Sequence, residues 1–242
     1  MTYGAGGSNK GRALEIAALV KNTYGVEPLA HLTCVGASRK ETADQIRKMS
    51  EAGIENILAL RGDVPKDMDP EHAFTAIPHA SDLIAQIRKT APDCCIGAAA
   101  YPEVHAESDS RAQDLCYLKK KADEGAAFFI TQLFFDNDAY FRLCDYLEAL
   151  NVKAPVVAGI MPMLNPEQIL RMATLCGCSI PASISHLIAR YKNRPDDFRK
   201  AGMEYAERQI DAQVRGGARG IHLYSMNKAE EITEIVRACG LR

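Results

Sequence analysis

Short apolar segments alternate with amphipathic segments along almost the whole chain. The apolar segments are bounded by turn residues, as is typical of parallel strands that are covered on both faces. Because consecutive parallel strands need a long crossover, usually a helix, this alternation predicts an α/β fold with a parallel sheet, open or closed. The predicted strands lie at 2–3, 28–35, 56–61, 95–101, 128–134, 155–160 and 220–224.

The intervening segments have helical periodicity. Two further helical patterns, 184–191 and 195–215, precede the last predicted strand, and inserted helices at such a place are tolerated in barrels. No linker, short repeat or low-complexity tract divides the chain, so we predict a single domain over residues 1–242. The other predicted helices lie at 11–23, 39–52, 80–90, 110–124, 137–150 and 166–175.

The number of predicted strands indicates the type of sheet. A closed (β/α)₈ barrel has eight strands, and the segments above supply seven, of which the first, at 2–3, is only a stub. We therefore expect a TIM (β/α)₈-type barrel with about seven of its eight strands in this chain, incomplete at the N-terminus.

Charge and hydropathy exclude several classes of protein. The formal net charge is −2, so neither nucleic acid nor an anionic membrane is expected as the main partner. No apolar run reaches the length of a bilayer span, and the first ten residues do not resemble a signal peptide. We predict a cytoplasmic protein.

The eight cysteines invite a metal or disulfide interpretation. Cys94 and Cys95 are adjacent, and Cys176 and Cys178 are separated by one residue, but no CxxC is present and no histidine has zinc-ligand spacing. We therefore expect no metal site, and we expect reduced, mostly buried thiols.

Polar side chains follow the predicted strands at the points where function resides in α/β barrels. Asp63, after a tight turn, either lies beside a bound heterocycle or caps the following turn. Gln132 either contacts a ligand or makes a structural hydrogen bond, and its position favours the ligand. Lys119–Lys121 could meet a pyrophosphate, although a lysine run on a helix is more often a solvated face. The glycine-rich residues 4–11 fit neither a Walker motif nor a dinucleotide fingerprint.

Six segments of the chain, in order, are HLTCVG (31–36), ALRGD (59–63), AAYPEVH (99–105), ITQLFFD (130–136), AGIMPM (158–163) and HLYSMNKAE (222–230). In their order and spacing, and over essentially all 242 residues, they resemble the methylenetetrahydrofolate reductase family.

The resemblance implies a TIM barrel that binds FAD at its C-terminal face. It also implies ping-pong reduction of 5,10-methylenetetrahydrofolate to 5-methyltetrahydrofolate, with NADH or NADPH as the hydride donor, in one-carbon metabolism and methionine biosynthesis. The flavin supplies the hydride chemistry, and the protein supplies binding and electrostatics. The family implies a homo-oligomer, and a partner subunit that delivers electrons stays open.

The resemblance also assigns roles to individual residues. Asp63 and Gln132 are implied as catalytic: Asp63 holds the folate and tunes the flavin by its charge, and Gln132 bonds the pterin or the nicotinamide. Asp63, Gln132, Gln168 and Lys228 are implied as substrate contacts. The implied flavin contacts are Thr2, Tyr3, Ala5, His31, Arg61, Gly62, Asp63, Ala80, Tyr101, His105, Asp114, Lys120 and Lys121.

Some positions depart from the family pattern. Lys228 stands where an arginine is common, so it keeps the charge for the folate tail but loses the bidentate fork. Met172 stands where an aromatic residue can stack on the substrate, and Ser108, Tyr117 and Lys120 differ on the adenine side. The family's first strand carries a general-acid glutamate, and this chain is expected to begin after it. Glu103 is the acid in a motif loop, with no geometric reason for that role.

Three hypotheses follow for the expected loss of the first strand. The chain descends from an active reductase whose first strand was left out of this sequence. Alternatively, it is a catalytically impaired flavin or folate binder. As a third alternative, it is a subunit that a strand from another chain completes, because an open sheet edge invites pairing.

Overall fold

A computed structural model describes residues 10–65 and 67–241, and it confirms the alternation of strands and helices. The strands in these residues are β1 (Leu29–Thr33), β2 (Asn56–Leu60), β3 (Cys95–Ala100), β4 (Phe128–Thr131), β5 (Val156–Ile160) and β6 (Ile221–Leu223). The helices are α1 (Lys10–Tyr24), α2 (Arg39–Glu51), α3 (Ala80–Thr90), α4 (Arg111–Asp123), α5 (Asn137–Ala149), α6 (Pro166–Cys176), α7 (Ala182–Tyr191), α8 (Pro195–Arg215) and α9 (Ala229–Ala238).

The six strands lie in the sheet in chain order, from β1 to β6. The pairs β1–β2, β2–β3 and β5–β6 are parallel, with Leu29 opposite Asn56 and Ala158 opposite Ile221. Parallel strands that follow one another in chain order with helical crossovers have the topology of a TIM-type barrel. The seven-strand count is not confirmed, because the predicted stub at 2–3 lies outside the described residues.

The observed elements differ from the predicted ones in several places. Strand β4 ends at Thr131, three residues before the predicted end, so Gln132 is the first residue after the strand and not part of it. The helix α9 was not predicted, and a 3₁₀ turn forms at Pro70–His72. The apolar run 133–135 misled the strand prediction, because those side chains are buried although the backbone has left the sheet.

The chain forms two compact units. The first unit comprises the residues up to Ala99 together with Tyr117–Phe129, and the second comprises Ala100–Cys116 and the residues from Ile130 onward. The prediction of a single domain stays a prediction.

Local signals set where the helices begin and end. Ser38 and Glu41 form a capping box at the start of α2, so two N–H groups at that helix end are satisfied. The Asn165 side chain accepts hydrogen bonds from the first turn of α6, and Gly177 ends that helix at φ +66°, in the left-handed region that favours glycine. Within the described ranges, none of the helices has the length and apolarity that crossing a bilayer requires.

Each unit has its own apolar packing. In the first, Leu83, Ile84 and Ile87 on α3 are fully buried, and each such side chain contributes about 1.5–3 kcal/mol. In the second, α8 passes so close to the segment after β5 that a Cβ on Gly202 would lie 1.7 Å from the Met163 carbonyl oxygen. The backbone can therefore approach only where residue 202 is glycine.

The cysteines are free thiols, as expected, but they are not mostly buried. Cys34 and Cys94 are buried, Cys116 is exposed, and the others are partly buried. Throughout residues 10–65 and 67–241, His, Cys, Asp and Glu side chains form no group of three or more that could hold a metal ion.

Candidate active site

The turn after β2 holds three of the predicted site residues in the first unit. Gly62 has φ +86°, and a Cβ there would lie 2.9 Å from Val35 Cγ1 and 3.0 Å from Thr33 Cβ, so this turn requires glycine. The Arg61 guanidinium carbon lies 4.2 Å from the centre of the Phe74 ring, and the two groups form a cation–π contact. Asp63 is exposed.

Positive charge gathers near the ends of β1 and β2. Burial raises the pKa of the Cys34 thiol to about 12, the Asp82 carboxylate adds to this rise, and Arg61 and Lys121 act against it. These three charges therefore lie within electrostatic range of one buried thiol. Lys121 Nζ donates a hydrogen bond to the Ala99 carbonyl oxygen at 2.8 Å, which directs the ammonium group toward the end of β3.

The three consecutive lysines of α4 do not share one environment. Lys119 pairs with Asp123 on an exposed face, as a solvated lysine does. Lys120 lies 3.8 Å from Asp82, and Lys121 is partly buried. The two interpretations of the lysine run therefore apply to different lysines. Lys119 belongs to the solvated face. Lys121 belongs, with Arg61, to a cationic group near Cys34.

Asp82 was missed by sequence reasoning. Its carboxylate accepts a hydrogen bond from the main-chain N–H of His79 at 3.1 Å, and this bond caps the start of α3. An acid at the third position of a helix was the available signal. Ala80, a predicted flavin contact, is the buried first residue of α3, and His31 is partly buried on β1.

In the second unit, the loop after β3 is held at several points. The rings of Tyr101 and His105 meet edge to face, with centroids 4.5 Å apart. Arg111 donates a hydrogen bond to the Pro102 carbonyl oxygen at 2.8 Å. Both carboxylate oxygens of Glu103 accept from the Ser179 N–H, at 2.9 and 3.0 Å. The Glu103 carboxylate therefore links the loop after β3 to the segment after α6 by a hydrogen bond.

Gln132 is held by hydrogen bonds to the main chain of two other residues. Its N–H donates to the Ala100 carbonyl oxygen at 2.7 Å, and its side-chain Oε1 accepts from the Leu133 N–H at 2.9 Å. That contact turns Nε2, which can only donate, away from Leu133. Gln132 lines a cavity of about 10 Å³, which is room for about one water. The other lining residues are Tyr101, Pro102, Glu103, Val104, Leu133, Cys176, Gly177 and Cys178.

Three further predicted residues lie in the second unit. Asp114 is buried in α4, Gln168 is partly buried in the first turn of α6, and Lys228 is exposed just before α9. Within 100–116 and 130–241, no hydrogen bond or ion pair links Gln168 or Lys228 to Gln132. The predicted flavin contacts Thr2, Tyr3 and Ala5 lie outside the described residues.

The turn before α9 has unusual backbone geometry that sequence reasoning did not foresee. Met226 and Asn227 have φ values of +47° and +61°, in the left-handed region. Consecutive left-handed residues other than glycine store strain, and such strain clusters at functional sites. Lys228 directly follows this turn and is exposed.

A model of the methylenetetrahydrofolate reductase family matches residues 1–240. The chain belongs to that family. The 5,10-methylenetetrahydrofolate reductase of Pectobacterium carotovorum is 34% identical over 242 residues, which are the whole of this chain and 79% of that protein. The Escherichia coli enzyme of the same name is 33% identical, over the whole of this chain and 80% of its own length. The chain is thus a member of an oxidoreductase family.

Two further proteins show how far the likeness extends. Methylenetetrahydrofolate reductase (NADH) 1 of Arabidopsis thaliana is 34% identical, and this chain spans 43% of it. A solved structure from Clostridium thermocellum, described as an uncharacterized protein that binds two copies of 5-methyl-5,6,7,8-tetrahydrofolic acid, has a TM-score of 0.61 and 19% identity. That alignment covers 91% of this chain and 75% of the other, and at this identity it supports the fold alone.

One departure from the reductase family pattern has a structural counterpart. Met172, where an aromatic residue can stand, packs against the apolar cluster that contains Leu133 and Met163. A thioether adapts to such a cluster without the flat stacking face of an aromatic ring. Met172 therefore packs against the same apolar cluster as Leu133, the residue that follows Gln132.

Proposed function

We propose that this chain reduces 5,10-methylenetetrahydrofolate to 5-methyltetrahydrofolate, with NADH or NADPH as the hydride donor and FAD as the cofactor, in a ping-pong sequence. The observation that carries the proposal is the position of the family's motif residues. Arg61, Gly62 and Asp63 directly follow β2, and Gln132 directly follows β4. In barrels of this type the carboxyl ends of strands hold the chemistry.

The cationic group of the first unit fits the diphosphate of FAD. Arg61 and Lys121 carry two positive charges near the strand ends, and Lys120 adds a third beside Asp82. Guanidinium and ammonium groups bind phosphate oxygens through charge-assisted hydrogen bonds. Bound FAD would supply the hydride-transfer chemistry between the nicotinamide and the folate. The residues of this chain bind and orient the reactants.

Gln132 is suited to serve both substrates in turn. Its Oε1 is occupied by the Leu133 N–H, so Nε2 is the group that it offers to a ligand. Pterins and nicotinamides both carry carbonyl oxygens, which a single amide donor can bind at different times. Asp63 is an exposed carboxylate, and it can accept hydrogen bonds from the N–H groups of a pterin. The single donor of Gln132 supports successive use of that residue by the two substrates.

The general acid is not assigned among the described residues. Glu103 was the candidate in a motif loop, and both of its oxygens face the Ser179 N–H. This contact engages both carboxylate oxygens of Glu103 with the main chain after α6. We therefore give Glu103 a structural role in the proposed reaction.

A flavin experiment on this chain tests the proposal. The purified protein should show flavin absorption, lose it when reduced nicotinamide is added anaerobically, and regain it when methylenetetrahydrofolate follows. Bleaching without reoxidation would instead identify the catalytically impaired flavin or folate binder. Absence of bound flavin, with no uptake of added FAD, would overturn the proposal. A Gln132→Ala variant should retain flavin while both half-reactions slow, because the cationic group is unchanged.

A further inference from the structure

We propose that Tyr224 is a positioning residue for Gln132, an inference that rests on the proposed function. The Tyr224 hydroxyl donates a hydrogen bond to the main-chain carbonyl oxygen of Thr131 at 2.8 Å. Thr131 is the last residue of β4 and immediately precedes Gln132. Tyr224 therefore reaches from the end of β6 to the peptide group on which Gln132 is built.

That peptide group is held at both of its polar atoms. Its carbonyl oxygen, from Thr131, accepts from Tyr224, and its N–H, from Gln132, donates to Ala100 at 2.7 Å. Because the peptide is planar, fixing these two atoms fixes the bond from which the Gln132 Cα projects. The Leu133 N–H then holds the side-chain Oε1, so the direction of Nε2 depends on both contacts.

Gly159 on β5 packs closely against both Thr131 and Tyr224. A Cβ at residue 159 would lie 2.2 Å from the Thr131 carbonyl oxygen and 2.9 Å from Tyr224 Cε2. The Gly159 N–H also donates to Thr131 Oγ1 at 2.8 Å. Strand β5 therefore leaves a gap through which the tyrosine crosses to reach β4, and glycine is the residue that leaves it.

The Tyr224 side chain is itself held in one orientation. Its ring meets the His222 ring edge to face, with centroids 4.8 Å apart. Burial raises the pKa of the Tyr224 hydroxyl above its usual value, so the hydroxyl stays protonated and able to donate at neutral pH. The contact with Thr131 is thus a partly buried hydrogen bond made by a protonated donor.

A buried tyrosine elsewhere in the second unit provides a matched control. The Tyr140 hydroxyl donates to the Val156 carbonyl oxygen at 2.8 Å, the same distance as the Tyr224 contact, and Val156 is the first residue of β5. Tyr140→Phe and Tyr224→Phe each remove one hydroxyl from a contact with a main-chain carbonyl, buried for Tyr140 and partly buried for Tyr224. Only Tyr224→Phe releases the peptide that precedes Gln132.

The test compares the two variants in the full chain, loaded with FAD. We expect both to lose a similar amount of thermal stability, and Tyr224→Phe alone to raise the KM for methylenetetrahydrofolate and for reduced nicotinamide about fivefold. In a Gln132→Ala background, Tyr224→Phe should add no further change in KM. Equal KM values in the two tyrosine variants, or a full additional effect in that background, would overturn the inference.

A second measurement keeps failure of this inference distinct from failure of the proposed function. Hydrogen exchange at the Leu133 amide reports the contact with Gln132 whether or not the chain turns over. Tyr224→Phe should accelerate this exchange several-fold beyond the change in Tyr140→Phe. An inactive wild-type chain would overturn the proposed function alone, whereas unaltered exchange at Leu133 would overturn the positioning role.

Discussion

Glu103 and Ser179 lie 76 residues apart in sequence, yet both carboxylate oxygens of Glu103 accept from the Ser179 main-chain N–H, at 2.9 and 3.0 Å. The contact joins the loop after β3 to the segment after α6. It places an acid of the AAYPEVH motif in a structural hydrogen bond, and it occupies the carboxylate that sequence reasoning had considered for proton transfer.

A Glu103→Gln variant tests this role. The glutamine keeps an oxygen that can accept from Ser179 but loses the charge, so we expect the free energy of unfolding to fall by about 1 kcal/mol while kcat stays near the wild-type value. Chemical denaturation and steady-state kinetics measure the two effects. The exposed Glu204 on α8 provides the control, Glu204→Gln, for loss of one negative charge. A fall in kcat of about 100-fold or more would show that Glu103 transfers a proton.

A Gly159→Ala variant should be strongly destabilised. Its added methyl group would lie 2.2 Å from the Thr131 carbonyl oxygen, a backbone atom that cannot move without breaking the Tyr224 contact. We expect a loss of more than about 3 kcal/mol in the free energy of unfolding, measured by urea denaturation.

Gly220→Ala provides the matched control for that variant. The nearest atoms to its added methyl group would be the Val157 side-chain methyl groups at 3.6 Å, which is ordinary contact. We expect its stability to stay within about 1 kcal/mol of wild type. Similar losses in the two variants would contradict the close approach at Gly159.

The lysines of α4 should differ in their effect on flavin affinity. Lys121 belongs to the cationic group near Cys34, whereas Lys119 pairs with Asp123 on an exposed face. We expect Lys121→Gln to raise the Kd of FAD about tenfold, and Lys119→Gln to leave it unchanged. Titration of the flavin-free chain followed by fluorescence provides the measurement. Equal Kd values in the two variants would remove Lys121 from the cofactor site.

Two thiols with a raised pKa lead us to predict that the free energy of unfolding falls at high pH. Burial raises the pKa of Cys34 and of Cys178 to about 12, so these thiols stay protonated in the folded chain after the unfolded chain has lost its protons. The unfolded state then binds fewer protons, and the free energy of unfolding falls as pH rises from about 9 toward 12. The slope for each thiol is at most about 1.4 kcal/mol per pH unit.

Denaturation at several pH values in Cys34→Ala and wild type measures this contribution. The slope should be shallower in the variant, because one of the groups with a raised pKa has been removed. Thiol labelling near pH 8 provides a second readout: the exposed Cys116 should react first and Cys34 slowly. Identical slopes in the two proteins would contradict the assignment to Cys34.

The order of strands and helices, the α/β class and the family could be predicted from the sequence, because hydrophobic periodicity and motif order are local properties. Both ends of α3 and of α8 were predicted to the residue, with a proline at the first position of α8. The end of β4 was predicted wrongly. Apolar residues 133–135 are buried outside the sheet, and hydropathy alone does not distinguish a buried strand from a buried loop.

Residue contacts across long separations were decided only by the tertiary structure. The sequence identified Gln132 and Glu103 as polar residues of motif loops. It could not show that Glu103 accepts a hydrogen bond from Ser179, or that Tyr224 donates to the peptide group before Gln132. Tyr224 and Thr131 are 93 residues apart, and the crossing depends on the absence of a side chain at Gly159 on the strand between them. Local patterns therefore determined which elements form, and packing between distant elements determined which side chains are held in place.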